Sequence, residues 1–108
     1  MSIGDIVLIP FPFSELSQVK VRPAVVITET KDKYKDLVVS AISSVVPTKR
    51  SEREFIIAKS EKNNLRVRSV VKADRIVTVK RERVIAVIGK LTDNELSKFK
   101  TTLLAMIR

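Results

Sequence analysis

Arg66 and Arg68 flank Val67, and Lys80, Arg81 and Arg83 cluster a little further on. On an extended strand, alternate residues point to one side, so Arg66 and Arg68 are expected to face the same way. Guanidinium and ammonium groups spaced like this hold anions, and phosphate backbones are the first class to consider. The same residues would also serve simply to solvate exposed strands and blunt a sheet edge. Arg22, set directly before Pro23, reads equally well as an anion-holding group and as a structural pin for its loop.

The side chains that are missing narrow the chemistry further. The 108 residues include no Cys, no His and no Trp. That excludes disulfides, thiolate nucleophiles, zinc ribbons, Ser–His–Asp triads and imidazole acid–base catalysis. Gly4 and Gly89 are the only glycines, so neither a Walker loop nor a dinucleotide fingerprint can be written. An enzyme built from this chain works with Arg, Lys, Ser, Thr, Asp and Glu, and the sequence calls for no cofactor and no metal.

The charge is unevenly placed. The chain carries 21 Lys and Arg against 12 Asp and Glu, a formal +9. Residues 1–48 are neutral overall, residues 49–90 carry +8 and residues 91–108 carry +1. The basic middle predicts an anionic partner, either nucleic acid or an acidic protein segment. Met1-Ser2-Ile3-Gly4-Asp5 has an acid where a signal peptide needs bases, and no apolar run approaches the about 18 residues of a membrane span, so a cytoplasmic chain with no membrane partner is expected.

The elements that must position these groups read as short strands. Strands are expected over Ile3–Ile9, Ala24–Thr30, Leu37–Ser43, Phe55–Ala58, Leu65–Val71 and Arg75–Val79. Pro10-Phe11-Pro12 and residues 14–20 read as loop, and Pro23 belongs at a strand start or on an edge. Lys31–Asp36 and Glu61–Asn64 read as turns, and Arg83–Ile88 as either a last strand or a helical turn. Thr92-Asp93-Asn94-Glu95 is a capping-box sequence, followed by Leu96, Phe99, Leu103 and Ile107 at helical spacing, with Met106 widening the stripe. With no repeat or linker, residues 1–108 read as one domain, mainly β with a C-terminal α-helix, forming a small barrel or half-open sheet.

Several blocks together resemble a known family. Gly4-Asp5-Ile6-Val7-Leu8-Ile9-Pro10-Phe11-Pro12-Phe13-Ser14-Glu15-Leu16-Ser17, then Lys20, then Arg22-Pro23-Ala24-Val25-Val26-Ile27 look like the opening of the MazF/PemK toxins, in the form with a PFPF-type loop. The likeness continues through Val39–Ser44, Ser69–Asp74 and Ile88–Leu91, in family order. It implies an SH3-like barrel that dimerises, cuts single-stranded RNA without a metal, and is silenced by an acidic antitoxin.

The resemblance also implies roles. Metal-free cleavage needs a base for the 2′-hydroxyl proton, a cation for the charge building on phosphorus, and an acid for the leaving oxygen. Arg22 takes the cation's place, with two parallel donors. Ser43 aligns with the Thr or Ser that ends the family's third strand; Ser44 and Thr48 are its neighbours should the register differ by one. Asp74 and Glu15 are the base candidates, although cations beside Asp74 would lower its pKa and weaken it as a base. Lys72 stands where some members carry Arg, and Lys20 joins Arg66 and Arg68 as a substrate contact. Phe11 and Phe13 are candidates for base stacking or for core and dimer contacts. Two other functions fit the barrel: a toxin that binds a protein such as a topoisomerase, and a nucleic-acid-binding module without catalysis.

Overall fold

The computed structural model describes residues 1–11 and 20–108. Glu15 and Phe13, and the side chain of Phe11, lie outside what is described. Six strands form one antiparallel sheet in the order β4-β5-β3-β2-β1-β6. They are β1 (Asp5–Phe11), β2 (Lys20–Glu29), β3 (Leu37–Ser43), β4 (Glu54–Ile57), β5 (Ser69–Val79) and β6 (Ala86–Lys90). A single 3-10 turn at Arg81–Arg83 precedes β6, so the segment read as strand or helical turn contributes to both. Helix α1 covers Asp93–Met106. The fold is a curled half-barrel with one C-terminal helix.

Alternation along β1 and β2 explains why both faces are buried. Ile6 and Val25 join Ile42, Phe55, Ile57, Val71, Ala73, Leu91 and Phe99 in one apolar cluster. Val7, Ile9, Ala24 and Val26 turn the other way and join Leu37, Val39 and Val79. Strands buried on both sides lose the polar alternation of a solvent-facing sheet, hence runs such as Val25-Val26-Ile27. Helix α1 covers the first cluster with Phe99, whose ring centroid lies 6.4 Å from that of Phe55. The expected capping box is present: Thr92 Oγ1 accepts from the Glu95 N–H at 3.2 Å, and Glu95 Oε1 accepts from the Thr92 N–H at 2.8 Å. Leu96, Leu103 and Met106 pack on the cluster, whereas Ile107 lies past the last turn and is exposed, so it does not belong to the stripe.

Three expectations need correction. β1 continues through Pro10 to Phe11, and β2 begins at Lys20, with Pro23 inside it. Both prolines fit because β1 pairs with β6 only from Asp5 to Leu8, and β2 pairs with β3 only from Ala24 onward. Each proline thus sits where its strand has a single neighbour, and no second ladder needs an N–H from it. Residues 65–68 are not a strand: the chain bends at Arg66 and Val67, and β5 starts at Ser69. β5 then runs unbroken to Val79 through a wide bulge. Ser40 pairs with Ile76 while Ala41 pairs with Lys72, leaving Ala73-Asp74-Arg75 extra on β5.

The two sheet edges, β4 and β6, are joined by a turn rather than a ladder. After β4 the chain curls through residues 58–64, and Lys90 N–H on β6 donates to the Lys62 carbonyl at 3.0 Å. Asn64 donates from its side-chain amide to the carbonyl of Ile88. A Cβ at Gly89 would collide with the Lys62 carbonyl and lie 2.9 Å from Asn63 Cα, so only glycine fits there. Asn63 is fully buried and over-tied: its Oδ1 accepts from Ser60 and Leu65 N–H at 2.9 and 3.0 Å, and its Nδ2 donates to the Ala58 carbonyl at 2.8 Å.

Candidate functional site

Where β2 runs past the end of its pairing with β3, cationic and hydroxyl side chains collect. Ala24 lies opposite Ala41, and Arg22 lies opposite Ile9 on the other neighbour. Extending the β2–β3 register by one pleat sets Arg22 across from Ser43, and residues directly opposite share a face. Ser43 is paired with Val70, and Ala41 with Lys72. Arg22 and Ser43 thus share one row of the sheet, and Lys72 occupies the adjacent row on the same face. Lys20, two residues before Arg22, shares it as well.

The local bonding leaves these groups open for an anion. Arg22 is exposed and forms no ion pair among the described residues. Ser43 Oγ accepts from the Val45 N–H at 3.1 Å, a turn-closing bond that still leaves the hydroxyl proton available. Lys72 Nζ lies 3.9 Å from Glu54 Oε2, at the limit of an ion pair. Asp74 is exposed on the crest of the β5 bulge and forms no ion pair with Lys72 or Arg75. The bulge is itself pinned: Ala73 N–H donates to the Arg53 carbonyl at 3.0 Å, and Ser40 Oγ donates to the Ala73 carbonyl at 2.9 Å.

A groove of about 540 Å³ opens beside this row. Leu8, Ile42 and Ile88 contribute apolar surface, Val21-Arg22-Pro23 forms one part of its lining, and Asn64 to Val67 forms another. Ser44 and Ser69 add hydroxyls. The two features meet at Arg22, which borders the groove and stands in the row with Ser43. Of the expected substrate contacts, Ser44 and Arg66 line the groove; Lys20, Thr48, Lys72 and Arg68 do not. The expectation that Arg66 and Arg68 share a strand face fails because residues 65–68 bend. Among the described residues no group of three or more acidic side chains is arranged to hold a metal ion. No helix there is long and apolar enough to cross a membrane.

Sequence reading missed Ser40, Asn63 and Asn64. The signal for the last two was the Asn-Asn pair itself, since Asn tolerates the left-handed region that Asn64 occupies at φ 53°. A buried Ser amid Val38, Val39, Ala41 and Ile42 was the signal for Ser40.

The family model of PemK-like, MazF-like toxins of type II toxin–antitoxin systems matches residues 2–107. The chain belongs to this family. Among solved structures, this PemK/MazF-like chain is similar to an endoribonuclease in complex with its cognate antitoxin from a mycobacterial species. The TM-score is 0.75 at 14% sequence identity, over 99% of this chain and 94% of that one, which shows a shared fold. No curated protein sequence matches.

Proposed function

We propose that residues 1–108 act as one toxin domain, an endoribonuclease that cleaves single-stranded RNA sequence-selectively and without a metal ion in the cytoplasm. It works as a homodimer and is neutralised by an acidic antitoxin. Family membership and the likeness to a structure described as an endoribonuclease with its antitoxin support the reading. The single observation that carries the chemistry is the register that brings Arg22 and Ser43 to one row beside an open groove.

In this reading the 2′-hydroxyl attacks the adjacent phosphorus and gives up its proton to a carboxylate, Asp74 or Glu15. The P–O5′ bond breaks, leaving a 2′,3′-cyclic phosphate and a 5′-hydroxyl whose proton comes from a protonated donor or water. Arg22 supplies two aligned N–H donors to the non-bridging oxygens, which carry most charge in the transition state. Ser43, or Ser44 from the groove side, donates a further hydrogen bond. Lys20, Lys72, Arg66 and Arg68 hold neighbouring phosphates, with affinity falling steeply as salt rises.

The test is cleavage of a long defined RNA in EDTA, with end-group analysis of the fragments. Cyclic phosphate and 5′-hydroxyl ends, lost in Arg22→Ala, are expected. Intact RNA after incubation with wild-type protein overturns the reading in favour of a toxin that binds a protein target or a non-catalytic nucleic-acid binder.

A further inference from the structure

We propose that the groove beside Arg22 is a base-binding subsite, which seats the nucleobase next to the phosphate that Arg22 holds. This rests on the ribonuclease reading and adds to it the residues that select sequence. The groove's volume, about 540 Å³, falls within the range of small-ligand pockets, roughly 300–1,000 Å³. Its composition is that of such a pocket: apolar surface from Leu8, Ile42 and Ile88 for a flat aromatic ring, with a few polar groups around it.

Those polar groups match a base edge. Ser44 has no hydrogen-bond partner among the described residues, so its hydroxyl can donate or accept. Asn64 commits its amide N–H to the Ile88 carbonyl, which fixes the amide plane and leaves Oδ1 as an acceptor for an exocyclic amine. Arg66 adds donors.

The Asn64–Val67 side has no regular secondary structure, yet it is held firmly. Buried Asn63 ties residues 58–65 together through three side-chain bonds, and Gly89 lets the Lys62 carbonyl lie flat against β6. Asn64 is kept in the left-handed region, which for a non-glycine residue costs energy and persists only where the surroundings enforce it. A lining fixed before binding avoids the entropy of ordering it on contact.

Charge selects the occupant. The lining contains two guanidiniums, Arg22 and Arg66, and no carboxylate, which suits a base flanked by phosphates. A second copy of a chain that carries +9 would bring cations against cations.

The experiment combines two readouts. Cut sites in a randomised RNA pool are mapped for wild type and Val67→Trp, a half-exposed position (48%) whose enlargement fills the groove without touching the core. Separately, amide NMR shifts of wild-type protein are followed on titration with four 2′-O-methyl homopolymers, which cannot be cleaved. Val67→Trp is expected to lower kcat/KM on the preferred RNA at least tenfold and to flatten the preference at one position beside the cut, leaving other positions unchanged. The amides of Asn64–Val67 are expected to shift with one homopolymer more than with the others. An unchanged cut-site profile and efficiency in Val67→Trp overturns the subsite. So does a variant that keeps its profile but loses self-association or escapes an acidic inhibitor, since the groove then belongs to a protein partner. Wild-type protein that cuts no RNA while these amides respond removes the nuclease reading and leaves the base site; cutting with silent amides does the reverse.

Discussion

Ser40 on β3 donates its hydroxyl hydrogen to the carbonyl of Ala73 on β5 at 2.9 Å, and both residues are fully buried. The bond satisfies a carbonyl that the bulge has taken out of the ladder, and it fixes where Asp74 leaves the sheet. Ser40→Ala strands that carbonyl away from water. The expected cost is about 1–3 kcal/mol, read as a lower urea midpoint with an unchanged m-value.

Gly89→Ala places a methyl group against backbone that cannot retreat, because Lys62 and Asn63 are held by their own bonds. Folding stability is expected to fall by about 2 kcal/mol or more, as for other strained backbone sites. The Lys90 amide, bonded to the Lys62 carbonyl, should exchange with solvent faster in the variant than in wild type.

Arg22→Ala removes the cation from the proposed cleavage row without disturbing packing, since Arg22 is exposed and forms no ion pair among the described residues. Cleavage is expected to drop roughly 10²–10³-fold or more, in the range for loss of one transition-state donor. Unfolding free energy should stay within about 0.5 kcal/mol of wild type. Arg22→Lys keeps the charge but not the paired donors, so it should recover only part of the rate.

Glu29 makes the fold sensitive to acid. The terminal ammonium of Met1 bonds its Oε2 at 2.7 Å and Arg81 Nη1 bonds the same oxygen at 2.9 Å. Together, the ammonium first, they lower the Glu29 pKa from 4.5 to about 2. A carboxylate depressed in the folded state stabilises it fully above the unfolded pKa. That contribution therefore fades as pH falls from about 4.5 to about 2. Glu29→Gln should flatten the stability–pH curve in that window, and added salt should shrink the difference because the pair is near the surface.

Much of the architecture was legible where one residue pattern decides. β3 spans Leu37–Ser43 as its apolar run implies, and Thr92 and Glu95 fixed the start of α1. Local patterns failed where distant strands decide. Pro10 and Pro23 look like strand breakers until the sheet shows that each lies beyond the reach of a second neighbour. Lys72-Ala73-Asp74-Arg75 looks like an interruption between two strands, but Ser40 and Arg53 supply the bonds that carry β5 across it. For the site, Arg22 and Ser43 came from family likeness, and their shared row depends on a register that neither segment encodes alone. The groove depends on how residues 58–67 fold back on β6, which no short motif announces.

The antiparallel partnership of residues 5–8 with residues 86–90 has a consequence for biosynthesis. A nascent chain emerges with β1 first, yet the strand that flanks β1 on its outer side is translated almost last. Until the ribosome has passed Lys90, β1 lacks that neighbour and the Gly89 contact that shuts the half-barrel cannot form. Completion of the fold is thereby tied to near-completion of translation, and truncated products ending before β6 would carry Arg22 and Ser43 on an unfinished sheet.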